Sequence, residues 1–125
     1  MRTLCIDRVT VVSPDAPRAA ATFERLFTLP RAIGAAPVRG AALTIGDARI
    51  EFVTPEEGTP LAEALRTGGE GMAALTLGVA DLDEAARTLE RAAVAFEVRI
   101  DGGRRALEID PRAAHGVRLT LVAHA

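Results

Sequence analysis

The sequence predicts an α+β domain made of two tandem βαβββ modules, forming a cupped mixed β-sheet with the helices on its convex side. Three observations predict it. The chain contains an internal repeat, each copy carries the same order of hydrophobic periodicities, and glycine-containing turns separate the short strands. The repeat is visible when "SPDAPRAAATFERLF" (13–27) is set against "VADLDEAARTLERAA" (79–93). Asp15, Ala19, Ala20, Thr22, Glu24 and Arg25 match Asp81, Ala85, Ala86, Thr88, Glu90 and Arg91, each 66 positions on. Upstream, Val9 and Val11 match Leu75 and Leu77. Near the end "RIEFV" (49–53) matches "RLTLV" (118–122) at an offset of 69, so the second copy is three residues longer between these points. Two copies of about 50 residues make a duplication rather than a solenoid, which needs three or more repeats.

Each element follows in order. A strand (3–12; 73–79) leads to an aspartate placed to N-cap a helix, and Asp81-Leu82-Asp83-Glu84 is close to a capping box. The first helix repeats apolar residues at Ala20, Phe23, Leu26 and Phe27. The second does so at Leu82, Ala85, Ala86, Leu89, Ala92 and Ala93. Three short strands close each copy, near 31–37, 41–45 and 47–54, then near 95–100, 104–109 and 116–123. Turns such as Ile45-Gly46-Asp47 and Asp101-Gly102-Gly103 separate them. Between the modules (3–54 and 72–123) a linker, 55–71, carries a short helix started by Thr59-Pro60 and stopped by Gly68-Gly69.

Composition narrows the function classes. With 125 residues, 49% of them hydrophobic, the chain makes one domain with a real core. A net charge of −2 without a long basic run, and 3% aromatics with neither Trp nor Tyr, argue against nucleic acid as the partner. Apolar stretches far shorter than the roughly 20 residues of a membrane span argue against membrane insertion. Cys5 alone makes no intramolecular disulfide, and Met1-Arg2-Thr3-Leu4-Cys5-Ile6 lacks a secretory core, so a cytoplasmic protein is expected. Cys5 in a strand-like run reads as a buried, inert thiol.

The paired modules and "IDRVTVVSPD" at the end of the first strand resemble the vicinal oxygen chelate superfamily, which includes glyoxalase I, extradiol dioxygenases, methylmalonyl-CoA epimerase and bleomycin-type resistance proteins. "EGTPLAEALRTGGEG", "MAALTLGVADLDEA" and "IDPRAAHGVRLTLV" are most similar to methylmalonyl-CoA epimerase. In metal-dependent members, the resemblance implies, the first strand of each module gives a His-type ligand and the last a Glu. Carried over, those positions are Arg8, Glu51, Ala74 and Thr120, so Glu51 alone keeps a ligand. Alanine cannot ligate, arginine repels a cation and a neutral threonine ligates poorly. The epimerase base would lie in "RAIGAAPVRGAALTIG", which has no acidic residue. No metal and no cofactor are expected. His115 and His124, with Glu108 or Asp101 as companions, are the remaining metal candidates; without helical or hairpin spacing between them, both read as surface histidines.

Strand alternation names the residues that share the cup. If Glu51 faces in, so do Arg49 and Val53, while Ile50 and Phe52 pack under a helix. Arg8, Thr10 and Val12 face in from the first strand, Ala74, Thr76 and Gly78 from the fifth, and Arg118, Thr120 and Val122 from the last. The expected ligand-binding set is therefore Arg8, Thr10, Arg49, Glu51, Ala74, Thr76, Arg118 and Thr120. Arg8 is expected to pair with Glu51, offsetting the cost of a buried carboxylate. The same alternation also describes a solvated sheet face with no ligand. Three function classes follow. The first is a metal-free protein binding a small anionic, acyl or aromatic ligand. The second is a metal-independent isomerase, epimerase or lyase, with Arg8 stabilising an enolate and Glu51 as base. The third is an interaction module with a filled cup. A Glu tied to Arg is a poorer base, which favours binding. Exposed sheet edges point to a homodimer.

Overall fold

The computed structural model describes residues 1–33 and 40–124. Its elements run β1 (Thr3–Val12), α1 (Ala16–Phe27), β2 (Gly40–Ile45), β3 (Ala48–Val53), α2 (Pro60–Gly68), β4 (Gly71–Val79), α3 (Leu82–Arg91), β5 (Phe96–Asp101), β6 (Arg104–Ile109), a 3-10 turn (Pro111–Ala114) and β7 (Leu119–Ala123). The α+β class and the repeated strand–helix–strands order are as expected. Of the strand expected at 31–37, Arg31 forms an isolated bridge to Leu43, and 34–37 lie outside the described residues. The chain divides into two compact units: Arg8–Ala73, and Met1–Asp7 together with Ala74–Ala125. The division falls inside β1, between Asp7 and Arg8.

In the first unit, Arg8–Ala73, the strand order is β2-β3-β1, with β1 parallel and β2 antiparallel to β3. Asp15 caps α1 by accepting from the Arg18 backbone N–H at 3.2 Å. Ala16 and Ala20 then bring the helix close to the sheet, where they bury Ala41, Leu43 and Phe52, with Ile50 and Phe23 packed beside them. Phe52 is fully buried and its ring lies 5.1 Å from that of Phe23. The predicted apolar stripe is therefore real at its N-terminal end. Leu26 and Phe27, by contrast, are 62% and 60% exposed. Thr59 caps α2 and Gly69 ends it, with its N–H on Leu65 O, as the linker sequence predicts.

In the second unit the order is β4-β7-β6-β5, with β4 and β7 parallel and the remaining pairs antiparallel. Asp81, the repeat partner of Asp15, caps α3 by accepting from both Asp83 and Glu84 N–H groups. Leu82, Ala85 and Leu89 of α3 are buried on Leu107, Ile109 and Leu121. Ala92 and Ala93 fall beyond the helix end and are exposed, Ala93 in a left-handed conformation with φ 57°. Gly102 and Gly103, at φ 58° and 82°, make the tight turn of the β5–β6 hairpin, whose twist suits paired strands.

Register locates the three extra residues. Ala42 pairs with Glu51 nine positions on, whereas Glu108 pairs with Thr120 twelve positions on. The insertion is the β6–β7 connection, which folds into the 3-10 turn capped by Asp110.

Candidate functional site

The first unit has one sheet face covered by α1. The other carries the residues predicted to share a site. The β1–β3 register aligns Arg8 with Arg49, Thr10 with Glu51 and Val12 with Val53. Aligned residues of neighbouring strands point the same way, so these six share one face. From β2, Ala42 and Thr44 align with Glu51 and Arg49 on that face. Ile50 and Phe52, one step out of phase, go into the core.

On this face Arg8 Nε lies 3.0 Å from Glu51 Oε1, and Arg49 Nη2 lies 3.9 Å from Oε2. The expected Arg8–Glu51 pair forms, and Arg49 reaches the second carboxylate oxygen. The side chains are 16% (Arg8), 13% (Glu51) and 31% (Arg49) exposed, a partly desolvated cluster in which a charge pair is stronger than at an open surface. Thr10 beside them is 8% exposed. Two guanidinium groups thus approach one carboxylate on this face.

In the second unit Thr76 aligns with Thr120, and Gly78 with Val122. Arg118, which accepts the Leu75 N–H on its backbone carbonyl, precedes β7; it is half-buried, as is Ala74. Thr76 is 3% exposed. The inner strands of this unit therefore present hydroxyls where the first unit presents an ion pair. Its ion pairs lie further out: Arg99 bridges Glu97 and Glu108, at 2.7 Å to each, and Arg104 pairs with Asp7 at 3.2 Å.

Of the four positions that the resemblance assigns to metal ligands, the first unit holds Arg8 and Glu51, joined to each other, and the second holds Ala74 and Thr120. They offer a single anionic donor, already covered by a guanidinium. Among the described residues no three His, Cys, Asp or Glu side chains converge to hold a metal. His115 is exposed at the end of the 3-10 turn, at φ 56°. His124 has a neighbour that spacing did not reveal: its Nδ1 lies 3.4 Å from Cys5 Sγ. Cys5 is half-buried rather than buried, because β1 meets the tail here instead of a helix.

Sequence reasoning also missed a buried polar contact. Ser13, 1% exposed, donates from Oγ to Glu70 Oε1 at 2.6 Å and accepts the Asp15 N–H at 3.1 Å. It ties the β1–α1 turn to the end of the linker. No periodicity marks Glu70, which stands between Gly69 and Gly71. Away from this face, a hydrogen bond from the Arg112 guanidinium, then the Arg112 backbone N–H, hold the Asp110 carboxyl below the usual carboxylate value.

This arrangement, a βαβββ repeat with charged and hydroxyl-bearing side chains on the sheet face away from the helix, defines the class. Residues 5–111 match the Glyoxalase/Bleomycin resistance protein/Dioxygenase superfamily, and the chain belongs to it. Solved structures of the same fold include methylmalonyl-CoA epimerase from Mycobacterium tuberculosis, at a TM-score of 0.86 and 24% identity over 98% of this chain and 89% of that one. A Streptomyces coelicolor methylmalonyl-CoA epimerase variant in complex with 2-nitronate-propionyl-CoA aligns at 0.85 and 22% over 98% and 96%. A hypothetical protein from Bacillus halodurans C-125 aligns at 0.82 and 22% over 96% and 94%. No curated protein matches by sequence. No helix among the described residues is long and apolar enough to cross a membrane.

Proposed function

We propose that this protein is a single glyoxalase-like domain that binds a small anionic ligand, a carboxylate on an acyl or aromatic group, without a metal. The observation that carries the reading is the Arg8–Glu51–Arg49 cluster, with two cations around one anion on a partly desolvated face. An arginine fork matches a carboxylate in geometry as well as charge. Arg8 holds Glu51 in place, Arg49 meets the incoming anion and Thr10 borders them. On the second unit, Ala74, Thr76, Arg118 and Thr120 are proposed as ligand contacts by the same strand positions. The epimerase neighbours support an acyl thioester as one ligand class to try, and at 22–24% identity they support no more than that. Catalysis with Glu51 as base is disfavoured by the same contact, since its Oε1 is engaged by Arg8. We also propose that the chain works as a homodimer.

Thermal-shift screening against acyl-CoAs, aromatic carboxylates and polycyclic natural products, with EDTA and with added divalent metals, tests this reading. The expected result is stabilisation by a carboxylate ligand that EDTA leaves unchanged and that Arg49→Ala abolishes. Stabilisation that appears only with a metal overturns it. Turnover of the stabilising ligand by the same preparation transfers the reading to the enzyme class.

A further inference from the structure

Strand β5 is the outermost strand of the second unit, and no described strand pairs with its far side. Its pairing with β6 decides which backbone groups that side presents. The Asp110 N–H donates to Ala95 O at 3.0 Å, one step beyond the aligned pair Phe96–Ile109. Backbone groups alternate in direction along a strand. Ala95, Glu97 and Arg99 therefore turn their N–H and C=O groups towards β6. Phe96, Val98 and Ile100 turn theirs outwards.

The side chains of this edge form two rows. On the face covered by α3, Phe96 is partly buried against the core, while Val98 and Ile100 are 59% and 73% exposed. On the other face Glu97 stands directly across from Glu108, a like-charge pair, with Arg99 two residues on. Glu97 and Arg99 are 70% and 57% exposed. Exposed edges of this kind are templates for a further strand, and native proteins normally blunt them with proline, lysine or a bulge. "FEVRID" contains neither proline nor lysine, and β5 pairs with β6 without interruption.

We infer that β5 pairs antiparallel with β5 of a second copy of this chain about a two-fold axis, with Val98 facing Val98 of the partner subunit. This names the surface of the homodimer proposed above and is independent of ligand binding. The register follows from charge. Centred on Val98, the strands set Glu97 against Arg99 of the partner subunit, and Arg99 against Glu97 of the partner subunit. These are non-hydrogen-bonded positions, where side chains approach most closely. Phe96 then faces Ile100 of the partner subunit, so the apolar row continues across the axis while all three outward residues pair through their backbones. Centring on Glu97 would oppose Glu97 to itself, and centring on Arg99 would oppose two arginines; like charges directly opposite are destabilising. The pairing also supplies Glu97 with a second cation, offsetting its position across from Glu108. Such an interface is isologous and closes at two copies.

Charge-swap variants of the full chain, followed by sedimentation equilibrium and native mass spectrometry, test the register. Each of these exposed ion pairs contributes little to the fold, so the variants are expected to remain folded, with unchanged circular dichroism and melting. Glu97→Arg and Arg99→Glu, each alone, are expected to weaken the dimer about tenfold or more, since both symmetry-related pairs become repulsive. Mixing the two single variants restores a dimer, now a heterodimer, because one copy then brings two guanidinium groups and the other two carboxylates to the facing positions. The double variant Glu97→Arg/Arg99→Glu dimerises by itself. Val98→Pro, which removes an outward N–H and spares the β6 ladder, leaves a monomer. A wild-type dimer that tolerates both single swaps overturns this interface while leaving the homodimer standing. A wild-type chain that stays monomeric at millimolar concentration overturns both.

Discussion

In the first copy of the repeat Thr10 lies beside Glu51, and Arg8 beside Arg49; in the second, Thr76 lies beside Thr120 where the first has Thr10 and Glu51. Thr10 and Thr76 are equivalent, and so are Arg49 and Arg118. Of these four pairs of positions, the two that differ, Arg8 against Ala74 and Glu51 against Thr120, are the two members of the ion pair. A half-buried carboxylate without its cation is costly, and so is a half-buried cation without its carboxylate. The pair is therefore present as a unit in one copy and absent as a unit in the other. Beneath this face the copies remain alike: an aspartate cap, alanines at the helix contact and a fully or nearly fully buried large side chain, Phe52 or Leu121, on the last strand. Packing tolerates little variation at these positions, whereas the opposite face changed its chemistry without changing the fold.

The comparison can be broken first at its shared foundation. Phe52→Ala is expected to cost about 3–5 kcal/mol and Leu121→Ala about 2–5 kcal/mol by urea denaturation, since both empty a closed core. A cost under about 1 kcal/mol at either site would show that the two cores are not equivalent. Next comes the face where the copies differ. Arg8→Ala leaves Glu51 partly buried without its nearest cation, and about 1–3 kcal/mol of stability is expected to go with it. Thr120→Val, at the Glu51-equivalent position, should cost less than about 1 kcal/mol. In a double-mutant cycle Arg8→Ala and Glu51→Gln should couple by about 0.5 kcal/mol or more; additive effects would mean that the 3.0 Å contact contributes no coupling.

A third prediction exploits Val12 and its repeat partner Gly78. Val12 is 1% exposed, while a Cβ placed on Gly78 would stand 2.8 Å from Cys5 Sγ and 3.2 Å from His124 Cβ. Gly78→Val is therefore expected to destabilise by about 1–3 kcal/mol through overpacking. Adding Cys5→Ala should return part of that loss, and no recovery would place the strain elsewhere. The smallest effect belongs to the inserted turn of the second copy. Asp110 has its carboxyl lowered by Arg112, so its contribution is fully present above the ordinary carboxylate value of 3.8 and is lost as pH falls through the lowered folded value. Asp110→Asn keeps a capping oxygen and removes the charge. Its melting temperature should trail the wild type slightly near neutrality and converge with it in strong acid; a gap that persists there would point to the cap rather than the charge.

Much of this was legible before the structure, for particular reasons. Asp15 and Asp81 stand where a helix needs a cap, so both helix starts were readable locally. The period-two pattern Arg49, Glu51, Val53 against Ile50, Phe52 assigned faces correctly, because a one-residue slip would bury two charges and expose a phenylalanine. The repeat predicted a three-residue excess but not its place; register put it between β6 and β7. The Arg8–Glu51 pair followed from two aligned strands and the cost of a buried carboxylate. Arg49's approach to the other oxygen, the Ser13–Glu70 tie and the Cys5–His124 contact did not follow, since each joins residues that no local pattern relates.

By itself, then, the sequence determined the α+β class, the duplicated module, the helix starts and which side chains share a sheet face. Those properties depend on caps, turns and periodicities that act within a few residues. Only the tertiary structure decided how those side chains are partnered. Glu51 is held by two arginines, Arg99 is drawn outward between Glu97 and Glu108, and Val98 and Ile100 are left on an open edge. Such contacts depend on distances of a few ångströms between strands far apart in the chain, and Coulomb and packing energies change steeply over that range.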